Sequence, residues 1–249
     1  VGEEHRTKVT ELAMRVFTET PRRVLAVYAH PDDADIAAGG ALAAWAARGA
    51  KVDLVIVCDG AKGSLDAQTD VAQLRDQRSV ELHSAAQLLG LSDVQCLGIP
   101  DGEITNSSEF RERLVRLIRS TQPDCVLGPD PTATFFGGVY VNHRDHRELG
   151  WALLDAAAPA AAMPLYFPAT GAAHQVTRML LSGTHDPDVV VDVTSAIEAK
   201  VSAVLAHGSQ ITDDPQWVRS AVMGRAEATG REVGLRFGEA FRCVELDHA

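Results

Sequence analysis

The stretch VLAVYAHPDDADIAAGG, Val24 to Gly40, constrains the rest of the chain most. Val24 to Ala29 is a run of mostly apolar, β-capable residues without polar alternation, the pattern of a strand covered on both faces in a parallel α/β sheet. Pro31 cannot continue such a strand, so it stops where His30, Pro31, Asp32 and Asp33 stand together. Open α/β sheets bind ligands beyond the carboxyl ends of their strands, which makes one imidazole and two carboxylates at that edge candidate site residues. A helix is expected from Ile36 to Arg48, with Gly39 and Gly40 inside it, where glycine costs up to about 1 kcal/mol relative to alanine. A close backbone approach or a tolerated local weakness accounts for the pair equally well.

Short apolar runs keep alternating with longer amphipathic ones, as in successive βαβ units. Strands are expected at Val52 to Cys58, Val94 to Leu97 and Cys125 to Leu127. Helices are expected at Val71 to Leu89 with Gly90 as C-cap, at Glu109 to Ser120, and from HRDH (His143 to His146) to Ala158. Further on, Val176 to Leu181 and Val189 to Val193 read as strands, antiparallel at the sheet edge. Ser195 to His207 and Trp217 to Ala228 read as helices, and GLRFGEAFRCVEL as an edge-like strand. A helix from about His5 to Phe17 is expected to cap the sheet's flank. No repeat, low-complexity segment or linker divides the 249 residues, enough for one large core. The expectation is a single α/β domain with a doubly wound, Rossmann-like, mostly parallel sheet. Its core spans about 22–160, and an irregular α+β part at 161–249 completes the pocket.

A net charge of −11 argues against nucleic acid or an anionic membrane as partner, since both need a basic face. No run approaches the roughly 18 apolar residues of a membrane span, and Pro159 breaks the alanine-rich stretch Ala156 to Pro164. Cys58, Cys96, Cys125 and Cys243 never take C-x-x-C spacing and all fall in expected strands, which reads as buried free thiols in a reducing compartment. The opening VGEEHRTK has no apolar h-region, so a cytoplasmic enzyme acting on a small molecule is the expectation.

His30 and Asp33 are three residues apart after the first strand, and His143 and His146 three apart at the start of a helix, where such positions share a face. Two histidines and an aspartate suit zinc and leave a fourth position for water, as in catalytic zinc sites. HRDH alone also fits a solvated helix N-terminus with Asn142 as N-cap.

Together, AHPDD followed by GG, R-x-x-E at Arg78 to Glu81, the DG turn at Asp101 and Gly102, and H-x-D-H after YVN resemble the LmbE-like, or PIG-L, family of zinc-dependent N-acetylglucosaminyl deacetylases. The likeness covers about residues 22 to 160. It implies His30, Asp33 and His146 as ligands of one zinc, or of another divalent ion, and Asp32 as general base. It implies His143 as an imidazolium beside the tetrahedral intermediate, with Asp145 orienting it by a hydrogen bond. Arg78 and Asp101 then hold the substrate's sugar or its attached group. The implied reaction removes an acetyl group from an N-acetylated amino sugar or its conjugate, and homo-oligomerisation is compatible with it. Amide hydrolysis on a sugar-containing thiol conjugate and a two-metal phosphoesterase are the alternatives.

Blander readings stand beside these. Arg78 could pair with Glu81 on a solvated helix face, Asp101 could only hold its turn, and His207 reads better as a C-terminal helix cap than as a site residue. Asp35 and Glu239 receive no role, and the Phe135 to Gly138 loop fits a lid or a packed loop alike.

Overall fold

Alternation inside β2 (Arg23–Tyr28) builds both halves of the core in the computed structural model, which describes residues 14–246. Val24, Ala26 and Tyr28 face one side and pack with Leu42, Trp45, Leu82 and Ile197. Leu25 and Val27 face the other, joined by Phe110, Leu114, Ile118 and Leu149. Each fully buried large aliphatic contributes about 1.5–3 kcal/mol, so the doubly covered strands anchor the fold.

The chain begins with β1 (Arg15–Phe17) ahead of β2. Then follow α1 (Asp33–Ala47), β3 (Lys51–Cys58), α2 (Val71–Leu89), β4 (Asp93–Ile99), α3 (Ser108–Thr121) and β5 (Cys125–Pro129). A hairpin of β6 (Phe135–Phe136) and β7 (Tyr140–Val141) leads to α4 (Arg144–Asp155). The remainder is β8 (Arg178–Ser182), β9 (Val189–Asp192), α5 (Ile197–Leu205), α6 (Pro215–Arg231) and β10 (Gly238–Glu245). The central sheet has the order β1-β9-β10-β8-β5-β2-β3-β4. Its strands pair in parallel except where β10 runs antiparallel to β8 and β9. This is the expected doubly wound, mostly parallel α/β architecture. Since β2 runs parallel to its neighbours β3 and β5, all three carboxyl ends open on one edge.

Local chemistry sets the helix ends. The Asp70 side chain accepts from the amides of Ala72 and Gln73 to start α2, and Gly90, at φ +71°, closes it in the left-handed conformation. Gly40 resolves the glycine question of α1. A β-carbon there would lie 2.8 Å from Val193 Cβ, and its amide, with that of Ala41, donates to the Glu239 carboxylate. Gly39 has no such need, because its nearest neighbour, Lys200 Cγ, would sit at an ordinary 3.5 Å.

Several expectations change. Residues 15–17 of the expected first helix form β1, parallel to β9, and residues 5–13 of it lie outside the described residues. β8 and β9 are not antiparallel at an edge. β8 runs parallel to β5 inside the sheet, and β10 lies between β8 and β9 rather than at the rim. α4 ends at Asp155, after which the chain departs from helical geometry at Ala158. Cys58 and Cys125 are buried free thiols as expected, whereas Cys96 is exposed and Cys243 half-buried. Among the described residues no helix is long and apolar enough to cross a membrane.

Candidate metal centre

The strand-end loop after β2 and the first turn of α4 bring the two distant Asp/His groups together. One ligand atom each from His30, Asp33 and His146 lie within 4.8 Å of one another. Asp33 Oδ2 is the hub, accepting the His30 amide at 2.7 Å and lying 3.2 Å from His30 Nδ1 and 3.1 Å from His146 Nε2.

Hydrogen bonding fixes which imidazole nitrogens face that hub. Asn142 donates its side-chain amide to the Ala133 carbonyl at 2.8 Å, so its Oδ1 faces His146 Nδ1 at 2.9 Å and accepts a proton from it. His146 Nε2 is then a lone pair, buried without a hydrogen-bond partner, pointing at a carboxylate oxygen. His30 follows the same logic, because its Nε2 faces the carboxylates of Asp145 at 3.3 Å and Asp101 at 3.4 Å. A proton on Nε2 leaves Nδ1 free towards Asp33. Two imidazole lone pairs and a carboxylate converging on one point repel unless a cation or protons lie among them, and this donor set fits a divalent ion of the zinc type. Without the ion, burial would lower the His30 pKa, but hydrogen-bonded Asp33 and the charges of Asp101 and Asp145 outweigh it and push it up to about 9. Asp33 is held well below the usual carboxylate range by His146 and His30 despite its burial.

Asp32 caps α1 at φ +106°, a conformation that L-residues enter at a cost on the order of 1–3 kcal/mol. Buried Arg78 holds it there, donating to the Pro31 carbonyl at 2.6 Å, to Asp32 Oδ2 at 3.2 Å and to the Gly60 carbonyl at 3.0 Å. Gly60 is required at this crossing, since a β-carbon would come within 2.8 Å of Arg78 Nε. Burial and the neighbouring negative charge of Asp33 raise the Asp32 carboxyl above the usual range, and Arg78 draws it partly back.

The remaining expected residues divide differently from the sequence reading. Asp145, fully buried, accepts from the Gly102 amide at 2.7 Å and turns its carboxylate to His30, standing 3.8 Å from His143 Nδ1. It does not orient His143 as expected. Instead its backbone amide donates to His143 Nδ1 at 3.3 Å, which leaves that ring's Nε2 as the N–H. Burial and the nearby His30 lower the His143 pKa. Arg78 pairs with neither Glu81 nor open solvent, because Glu81 accepts from Ser209. Asp101 accepts the Lys62 amide at 2.9 Å and stands behind His30.

Sequence reasoning missed the supporting shell. Asn142, expected as an N-cap, sets the His146 tautomer instead, and the His143 side chain caps α4. His207, expected as a helix cap, is fully buried with its Nε2 2.9 Å from Asp35 Oδ2, tying the end of α5 to α1. Glu239 joins Lys200 in a buried ion pair. His207 and Asp35 are 172 residues apart and Lys200 and Glu239 are 39 apart, so neither pair carries a spacing signal, whereas Asn142 and His146 stand four apart, a separation the sequence does display. A second group, His30, Cys58, Asp101 and Asp145, also clusters. There the Cys58 thiol donates to Asp145 Oδ2 at 3.4 Å, and burial pushes its pKa up, so it is a hydrogen-bonded network about a protonated thiol.

The diacetylchitobiose deacetylase of Thermococcus kodakarensis is 30% identical, with 90% of this chain and 83% of that protein covered. The 1D-myo-inositol 2-acetamido-2-deoxy-alpha-D-glucopyranoside deacetylase of Kineococcus radiotolerans is 27% identical over 92% of this chain and 86% of its own length. In three dimensions, the N,N'-diacetylchitobiose deacetylase of Pyrococcus horikoshii, solved with an inhibitor, superposes with a TM-score of 0.82 at 30% identity, covering 90% of this chain and 84% of that one. The family described as PIG-L: GlcNAc-PI de-N-acetylase matches residues 25–157, which include every side chain around the Asp33 hub, and this chain belongs to it.

Proposed function

We propose that this chain is a metal-dependent hydrolase that removes the acetyl group from an N-acetylated amino sugar or its conjugate, with His30, Asp33 and His146 holding one zinc or similar divalent ion. The observation that carries the reading is the pair of fixed tautomers: Asn142 on one side and Asp145 with Asp101 on the other turn both imidazole lone pairs to Asp33 Oδ2. Relatives named as deacetylases of acetamido sugars support the same class.

When bound, a divalent ion here supplies Lewis acidity to an attacking water and to an amide carbonyl. Asp32, beside its ligand Asp33 and raised towards neutrality, takes a proton from that water and delivers it to the departing amine. Arg78 keeps the carboxylate aimed by gripping both its oxygen and the Pro31 carbonyl. His143, at the mouth of α4 and half-exposed, offers its Nε2–H to the oxygen that gains charge. The products are acetate and a free amine.

The test is release of primary amine from a panel of N-acetylated amino sugars by protein stripped with a chelator and then reloaded with zinc. Turnover lost on stripping and restored on loading supports the reading. Turnover that ignores the metal, or none on any acetamido sugar after loading, overturns it. The two-metal phosphoesterase alternative needs a second ion, and the only other ligand cluster among the described residues holds a protonated thiol, an Asp145 carboxylate that takes the amides of Gly102 and Ile104, and an Asp101 carboxylate that takes the amide of Lys62.

A further inference from the structure

A cavity of about 690 Å³ opens from Asp33 and His146 and runs beneath α6. It is within the range that holds ligands well beyond a single small ring. Its α6 wall is formed by Trp217, Val218, Ala221 and Val222, which recur three and four residues apart on one helix face. Phe136 and Tyr140 of the β6–β7 hairpin line it as well.

Apart from the hydroxyls of Thr184 and Thr229, the uncharged polar side chains and the Lys200–Glu239 pair in the wall are already hydrogen-bonded, and that decides what can sit there. Tyr28 Oη and Ser182 Oγ share a hydrogen bond at 3.0 Å. Lys200 Nζ donates to the Ile36 carbonyl at 2.8 Å and to Glu239, whose two oxygens also take the amides of Gly40 and Ala41. Asn142 is spent on His146 and Ala133. The charged groups left over, Asp213 and Arg225, are solvent-exposed. A second sugar pushed into this space would strip water from its hydroxyls without replacing it, at a cost on the order of tenfold in binding for each hydroxyl left unpaired. An alkyl or aryl group loses nothing there and gains about fourfold in affinity per buried methylene.

We propose that the substrate of this chain is an N-acylated amino sugar bearing an apolar substituent, and that this substituent occupies the cavity beneath α6. The inference rests on the N-deacetylase reading for its choice of sugar, while the apolar occupant follows from the cavity alone. The apolar group could be attached at either end of the scissile amide, as an aglycone on the sugar or as a longer acyl chain. Specificity therefore lies with α6 rather than with the residues around the metal.

Two series of substrates test this on zinc-loaded protein below micelle-forming concentrations. One carries methyl, butyl and octyl glycosides of N-acetylglucosamine, the other N-acetyl, N-butanoyl and N-octanoyl glucosamine. kcat/KM is expected to rise about tenfold or more from the shortest to the longest member of one series, and the series that rises tells which end enters. Ala221→Glu, a change at an exposed wall position, should abolish that gain, whereas Ala221→Leu should keep it. Calorimetric titration with octyl and methyl glucoside, which have no amide, reads the cavity independently of turnover. Tighter binding of the octyl compound, lost in Ala221→Glu, supports the inference even if no acetamido sugar is hydrolysed and the deacetylase reading falls. Absence of any gain with chain length in both series and in the titration overturns it, as does a preference for an N-acetylated disaccharide over the octyl glycoside.

Discussion

Asn142 decides whether His146 can serve as a ligand. Its amide is locked by Ala133, so it can only accept from Nδ1 and leaves Nε2 bare. Asn142→Ala should therefore weaken metal affinity by about 10- to 100-fold, read by competition with a chromophoric chelator, while circular dichroism stays native. If affinity is unchanged, the tautomer argument fails. Asp32→Asn should keep the ion but lower kcat by on the order of 10²–10⁴-fold, the usual loss when a general base is removed. His30 adds a pH dependence whose sign follows from its raised pKa. Without metal, its ion pairs with Asp33, Asp101 and Asp145 stabilise the fold fully below the ordinary histidine pKa of 6.5, and that contribution is lost as pH rises through about 9. The metal needs the neutral ring, so its affinity should strengthen over the same interval and its binding should release protons, measurable by calorimetry in buffers of different ionisation enthalpy. The meeting of His30, Asp33 and His146 was legible in the sequence because each cluster joins metal-ligand residue types to a strand or helix end. The partners of Asp145 and Arg78 were not. In the first turn of a helix it is the backbone amide that meets the N-cap side chain, and nothing in R-x-x-E reveals that Arg78 is drawn under Asp32.

The two adjacent glycines of α1 separate close approach from tolerated weakness. Gly40→Ala should destabilise the protein by about 1–3 kcal/mol, because a methyl group would collide with Val193 and push α1 off the Glu239 carboxylate. Gly39→Ala meets only ordinary contacts and should stabilise it, by up to about 1 kcal/mol. Urea denaturation of both variants checks the pair, and equal effects would contradict the account. Helices with strong local signals were read within a few residues: α2 carries an Asp N-cap and a Gly C-cap, and α3 an apolar stripe. β1 gave no signal because three residues are too few to show a period of two. β10 looked like an edge because its residues from Arg242 onward are only partly buried, although it is hydrogen-bonded on both sides.

At the scale of the molecule, over a hundred residues separate His30 from His146, and parallel strand order closes that gap. β2 lies beside β5, so the loop after one and the helix that follows the other share an edge. That consequence was readable from the apolar runs, whereas the antiparallel insertion of β10 and the α6 wall were not, since both depend on partners the local pattern does not name. The most direct test is anomalous diffraction collected on both sides of the zinc absorption edge from crystals of zinc-loaded protein. The account predicts one peak at bonding distance, about 2.0–2.2 Å, from His30 Nδ1, Asp33 Oδ2 and His146 Nε2. A peak on the far side of His30, among Cys58, Asp101 and Asp145, or no peak at either place, would contradict it.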